Sequence, residues 1–360
     1  MPRRVKKSIF PSNRRLKILA GLTFSITVQV ATAAALGPLD TLVDLSLEEL
    51  GAIQVTSVSG RSEPLQNAAS SVFVITSEDI RRSAATSLPE VLRLAPILQV
   101  AQASAGSYAI SARGFNNDIA NKLLVLIDGR SVYSTLFSGV FWDANAVMLE
   151  DIERIEVISG PGGTLWGANA VNGVINVITR DAAATQGALV SVVRSASGGR
   201  EVVRWGGALG EAGHFRLYGL ANDRGNTRSA SGVERGDADS RRQVGFRADW
   251  KEGLSQLTVQ GDAYEGGDDS PSNLAPRLHG SNLLARWSSR FANGSAYQLQ
   301  AYYDTAARDE ATVLRNKVSN VDLQFTHEPS MPAGQLLLWG AGYRRALDAN
   351  QPTALVLFTP

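Results

Sequence analysis

The sequence contains no cysteine. That excludes disulfides, thiolate metal sites and a cysteine nucleophile. Histidine is almost as scarce: His214, His279 and His327 stand far apart in polar surroundings, so no catalytic or metal-ligating residue and no cofactor is assigned. Each of the three reads instead as a surface or interface residue. Beyond residue 35 there is no run of 18 apolar residues, which excludes a later membrane-spanning helix. It does not exclude the membrane, because chains that settle in an outer membrane avoid long apolar runs and show alternation instead.

Acid is missing from the first 35 residues, which carry Arg3, Arg4, Lys6, Lys7, Arg14, Arg15 and Lys17. A basic start, the apolar run ILAGLTFSITVQVA and the small residues ATAAA read as a secretory signal peptide over 1–35, cleaved after Ala33 or Ala35. An N-terminal membrane anchor is the alternative. Removing the signal leaves 28 basic against 34 acidic residues, a net charge of −6. A mildly acidic exported chain has no electrostatic reason to bind nucleic acid.

The stretch IERIEVISGPGGTLWGANAVNGVINVITR runs from a β-branched segment into a glycine-rich turn, as a dinucleotide-binding fingerprint does. The spacing fails, because the third glycine would fall at Leu165. The chain also continues as the β-branched VINVIT, whereas a phosphate cradle needs a helix whose free N–H groups face the anion. A tight strand-loop-strand turn accounts for the glycines.

Composition changes near residue 183. Residues 65–180 mix short helical signals with β-branched strands, and beyond them nine segments alternate with period two: 187–196, 200–210, 213–223, 241–251, 255–266, 281–292, 296–308, 315–328 and 334–347. In SQLTVQGDAYEG, Leu257, Val259, Gly261 and Ala263 oppose Gln256, Thr258, Gln260 and Asp262. Short connections such as SGG and NGS alternate roughly with long ones such as RGNTRSASGVERGDADS, the pattern of an outer-membrane β-barrel with turns at one rim and loops at the other. A soluble sandwich also alternates and is the competing reading.

Between signal and barrel, three segments resemble, in order, the plug domain of TonB-dependent outer-membrane receptors. They are SVFVITSEDIRRSAATSLPEVLRLAPILQV, then YAISARGFNNDIANKLLVLIDGRSVY, then IERIEVISGPGGTLWGANAVNGVINVITR. The plug-motif residues are Arg113, Gly114, Phe115, Asp128, Gly129, Glu153, Arg154, Glu156, Gly160, Pro161, Gly167 and Asn176. Departures are modest: Ile97 follows Pro96 where the family usually has glycine, Ser159 stands where arginine precedes Gly-Pro, and Asn172 replaces a common glycine.

The resemblance implies a small α+β plug over 65–183, followed over 184–360 by the N-terminal part of a transmembrane β-barrel, with a periplasmic segment at 36–64. A plug of about 120 residues calls for a barrel of the 22-stranded type, so nine strands ending near Pro360 read as an incomplete barrel, a truncated product or fragment. It also implies energised uptake rather than an enzymatic reaction, in the outer membrane of a Gram-negative bacterium. The implied cargo is a scarce nutrient, first an iron-siderophore complex, with haem, cobalamin, another metal chelate or a glycan as alternatives. A passive pore or adhesin is the reading of a different class. The implied partners are outer-membrane lipid and TonB with its inner-membrane energising complex. TonB would grip Ile53, Gln54, Val55, Thr56, Ser57 and Val58, a stretch suited to adding a strand to a partner sheet, for which an extended linker is the other reading. Charges enclosed by a barrel need partners, so Arg113, Asp128, Glu153, Arg154 and Glu156 are expected to pair with one another or with inward-facing barrel residues, or else to meet lumenal water. Tyr133, Phe137, Phe141 and Trp142 are candidates for an aromatic apex facing cargo, with packing inside the plug as the alternative.

Overall fold

The structure, a computed structural model, describes residues 54–55, 63–64, 70–114, 116–117, 119–160, 166, 170–268, 276–310, 313–332 and 335–353. The leader at 1–35, Ile53, Thr56, Ser57 and Val58 of the coupling stretch, and Phe115, Pro161 and Gly167 of the plug motif lie outside the described residues.

Near the N-terminus β1 (Gln54–Val55) pairs antiparallel with β2 (Glu63–Pro64). The plug then forms a five-stranded sheet from β3 (Ser71–Thr76), β6 (Leu123–Ile127), β7 (Arg130–Ser131), β8 (Ile152–Ser159) and β9 (Gly173–Thr179), in the order β3-β8-β9-β6-β7. Among the described strands only β6 and β9 run parallel. Two short helices, α1 (Ser77–Arg82) and α2 (Leu88–Val91), and a separate hairpin, β4 (Leu98–Gln102) with β5 (Tyr108–Ala112), complete it. Helix α1 starts where Thr76 and Asp79 form a capping box, each side chain bonding the other's backbone N–H.

The continuous apolar run LLVLI makes β6 a strand buried on both faces. Leu123, Val125 and Ile127 join Ile155, Val157, Ile175 and Val177 in the larger core, while Leu124 and Leu126 meet Ile158 and Val174 on the other face. Each such side chain contributes roughly 1.5–3 kcal/mol by leaving water. In the glycine-rich stretch β8 is followed by Gly160, in the left-handed region at φ 116°, Trp166 is helical where a tight turn alone was expected, and the chain returns antiparallel as β9.

After a 3-10 turn at Ala182–Thr185 the chain enters a second sheet, a meander of nine antiparallel strands among the described residues. These are β10 (Gly187–Ser195), β11 (Gly198–Leu209), β12 (Gly213–Arg224), β13 (Asp239–Glu252), β14 (Ser255–Asp268), β15 (Arg277–Arg290), β16 (Ala296–Glu310), β17 (Leu314–Glu328) and β18 (Trp339–Gln351). All nine coincide with the alternating segments; β15 begins four residues earlier than the pattern suggests because both neighbours pair with it, and β18 begins at Trp339 opposite His327.

One correction concerns the rims. Connections 196–197, 225–238, 269–276 and 311–313 share one rim and 210–212, 253–254, 291–295 and 329–338 the other, so each rim mixes lengths. A meander assigns connections to rims by strand parity, whatever their length. We call the first the loop rim and the second the turn rim.

Period two sets the faces. The row Phe246, Gly261, Leu283, Tyr303, Val321 faces outward, and the adjacent row Arg247, Gln260, Leu284, Tyr302, Asp322, Arg344 faces the plug. At the turn-rim ends of the strands outward aromatics meet edge-on, as in Trp205 with Phe215 at 5.3 Å and Trp287 with Tyr297 at 5.1 Å.

Candidate functional site

The plug-facing side of the nine-stranded wall is rich in arginine: Arg200 and Arg204 on β11, Arg216 on β12, Arg241 and Arg247 on β13, Arg286 on β15 and Arg308 on β16. The plug presents acids and carbonyl oxygens to them. Arg200 donates two parallel bonds, at 2.7 and 2.6 Å, to the Glu150 carboxylate. Asp151, only 2% exposed, accepts a hydrogen bond from Arg204 on one oxygen and forms an ion pair, without a hydrogen bond, with Arg216 at 3.1 Å on the other. Arg216 also donates to the Arg180 carbonyl and, at 3.1 Å, to the Thr179 hydroxyl. Arg247 reaches Asp181 at 2.6 Å and its wall neighbour Asp249 at 2.8 Å. The planar guanidinium fork suits this work, since it satisfies two acceptors while remaining charged in a site poor in water.

The Asp-Gly pair of LIDGR is a two-residue hairpin turn joining β6 to β7, with both residues in the left-handed region, Asp128 at φ 49° and Gly129 at φ 80°. The turn abuts the wall. A side chain at 129 would collide with Arg286 and Gln300, whose own groups bond the Asp128 and Gly129 carbonyls. The Asp128 carboxylate accepts from the Thr179 N–H and hydroxyl, both at 2.8 Å, and from Gln260 at 2.9 Å, with Arg247 at 4.0 Å. Burial opposes its charge, but Arg247 and these donors outweigh burial and hold the carboxyl below its ordinary range. Glu150 shows the same balance, with burial opposed successfully by Arg200.

The remaining plug-motif charges stay within the plug. Arg154 bonds Glu156, which is 0% exposed, at 2.8 Å and also pairs with Glu153. Asn176 lies opposite Glu156 in the β8–β9 register. Arg113, left-handed at φ 59° before Gly114, donates to the Ser159 hydroxyl at 3.4 Å near Gly160.

The four aromatics separate. Tyr133 and Phe141 line a cavity of about 120 Å³ between plug and wall, together with Arg130, Asp262, Tyr264 and Asp304. Phe137 packs edge-on against Phe141 at 4.7 Å, and Arg308 lies 4.1 Å over the Phe141 ring while gripping Asp143. Trp142 is 8% exposed and belongs to the plug core, so it does not share the cavity with Tyr133 and Phe141. The wall arginines were not singled out from sequence, although their period-two placement on the polar face of each strand is a readable signal. Among the described residues no group of three or more acidic or histidine side chains is placed to hold a metal ion.

The family model described as TonB-dependent Receptor Plug Domain matches residues 64–174. The chain is 27% identical over 334 residues to the vitamin B12 transporter BtuB of Vibrio vulnificus, covering 88% of this chain and 53% of that protein. It is 31% identical over 243 residues to the ferric enterobactin receptor PirA of Pseudomonas aeruginosa, covering 59% of this chain and 31% of that protein. The crystal structure of the siderophore receptor PirA from Pseudomonas aeruginosa superposes with a TM-score of 0.59 at 24% identity, over 78% of this chain and 48% of that one. The chain thus spans about half the length of these relatives or less. Residues 64–174 thus carry the plug domain of TonB-dependent receptors, and the nine-stranded wall that follows has the fold of the barrel in such receptors.

Proposed function

We propose that this chain supplies the plug and the first barrel strands of an outer-membrane receptor that takes up a scarce nutrient with energy from TonB. The observation that carries the reading is the docking of a folded plug against the polar inner face of a strand wall whose outer face is apolar. A pore has no use for so elaborate a stopper, and an enzyme would need a convergent nucleophile, base or metal site. The chain makes and breaks no bond; it binds, and it moves. Its leader directs export, and its wall sits in outer-membrane lipid.

Cargo would arrive from the loop rim. An anionic ferric siderophore suits the arginines and aromatics beside the cavity, Arg130, Arg241, Arg308, Tyr133 and Phe141. Cobalamin is the second reading, favoured by the extent of the match to the vitamin B12 transporter. Growth rescue and uptake with a panel of ferric chelates and with cobalamin, in a deletion strain carrying the whole receptor gene, separates the two. Rescue by neither removes both.

TonB would pull residues 53–58. Val55 is buried in β1, paired with Glu63, so its strand must leave β2 before it can add to a partner sheet. Val55→Pro removes a backbone donor, and cargo is expected to bind at the surface without accumulating, while Val55→Ala transports at a substantial fraction of the normal rate. Normal uptake by Val55→Pro moves the coupling stretch elsewhere.

A further inference from the structure

The long connection 225–238 between β12 and β13 is not an open loop. Arg235 N–H bonds the Thr227 carbonyl at 2.9 Å, Ala238 N–H bonds the Asn226 side chain at 2.9 Å, and Arg228 bridges to Glu234. It is a folded arm, and it lies on the plug. The Asp237 carboxylate joins the two: one oxygen accepts the Thr227 N–H at 2.7 Å, and the other accepts the Thr227 hydroxyl at 2.6 Å and the plug's Ala105 N–H at 3.1 Å. Arg235 donates to the Ala103 carbonyl at 3.3 Å and Arg224, at the base of the arm, to the Ala105 carbonyl at 3.2 Å. Beside them Gly106 leaves no spare room, since a Cβ there would stand 3.1 to 3.3 Å from the Asp239 carboxylate.

The plug groups that hydrogen-bond to the arm are all backbone, in the β4–β5 turn ASAGS at 103–107, and Ala105 is only 1% exposed. The arm therefore registers where this turn is, through contacts that a side-chain change in the turn need not alter. The β4–β5 hairpin is also a separate sheet from the five-stranded one that the wall arginines hold. Its turn is tied directly to a loop-rim connection.

We infer that the 225–238 arm is a position sensor for the plug: it is folded down while the β4–β5 turn is docked and is set free when that turn moves. This rests on the reading of the chain as a receptor whose plug is displaced during uptake, for the arm would then convert plug movement into a change at the cell surface. Asp237 is the positioning residue, and its bonds to Thr227 keep the arm's own fold when the plug bond breaks.

Amide hydrogen exchange on the chain in outer-membrane vesicles tests this without cargo or TonB. From the plug side, Gly106→Val pushes on Asp239 and is expected to speed exchange across 225–238 about tenfold. From the arm side, Asp237→Ala is expected to speed exchange at 103–107 by a similar factor, and Asp237→Asn, which keeps one acceptor oxygen, by less. Coupling is overturned if each substitution acts only on its own segment, leaving the other within twofold of the parent. The amides of β8 and β9 report plug integrity. Should Gly106→Val also loosen them, Gly106→Ala carries the same test with the same two outcomes. Failure of the receptor reading would appear in uptake measurements and leave these exchange rates unchanged.

Discussion

The plug sheet and the wall sheet use the same backbone and opposite distributions of side chains. In the plug, β6 is apolar at every position and buried on both faces, and the charges within β8, Glu153, Arg154 and Glu156, pair with one another. In the wall, β13 alternates buried Arg241, Gln243, Arg247 and Asp249 with outward Val244, 63% exposed, and Phe246, 37% exposed. A sheet with its polar side enclosed and its apolar side out is inside-out for water and correct for lipid. What lies between the two sheets is therefore neither a core nor a surface. It is an ionic seam, in which acids from one body meet arginines from the other, and such a seam holds firmly while remaining separable, because its groups can be rehydrated.

The contrast can be broken most sharply from the plug side. Val157→Asp places an unpaired carboxylate in the larger core and is expected to cost more than about 4 kcal/mol, enough to unfold the plug in urea titrations followed by its own amides. The outward counterpart, Val244→Arg, is expected to leave the plug folded and to cost about 2–4 kcal/mol in barrel stability if its site lies near the bilayer midplane, read from unfolding in lipid vesicles. Equal effects of both on the plug would erase the distinction between the sheets.

The seam sits between these. Asp151→Ala leaves Arg204 and Arg216 buried without their acid and is expected to weaken plug docking by about 3–5 kcal/mol, seen as faster protease cleavage of the plug with the wall intact. Acid should loosen the same seam. Asp128 and Glu150 hold protons less tightly when folded than when unfolded, so their contribution is complete above roughly pH 4–5 and declines as pH falls through their lowered folded values. Asp128→Asn is expected to flatten part of that decline in a pH series of the cleavage rate. The smallest effect is expected at the surface, where Arg228→Ala breaks an exposed pair with Glu234 for about 0–1 kcal/mol in the same assay.

Much of the architecture was legible because its signals are local. Alternation marked all nine wall strands, and the three plug-like segments marked where the plug lies. The seam was legible only as a requirement: Asp128 needed a partner, and Glu153, Arg154 and Glu156 needed one another or the wall. Trp142 shows the limit. SVYSTLFSGVFWD has no clean period, so nothing in the segment separated Trp142, turned into the plug core, from Tyr133 and Phe141, turned toward the cavity.

The positions of the wall strands, the face each residue takes and the absence of disulfides were determined by the sequence, because side-chain direction in a strand depends on neighbours one and two positions away. Which arginine meets which acid was decided by the tertiary structure. Arg204 and Asp151 are 53 positions apart, and Asp237 and Ala105 are 132 apart. Their meeting depends on the stagger of every intervening strand and on where the plug comes to rest, and no local pattern encodes a sum over that many strands.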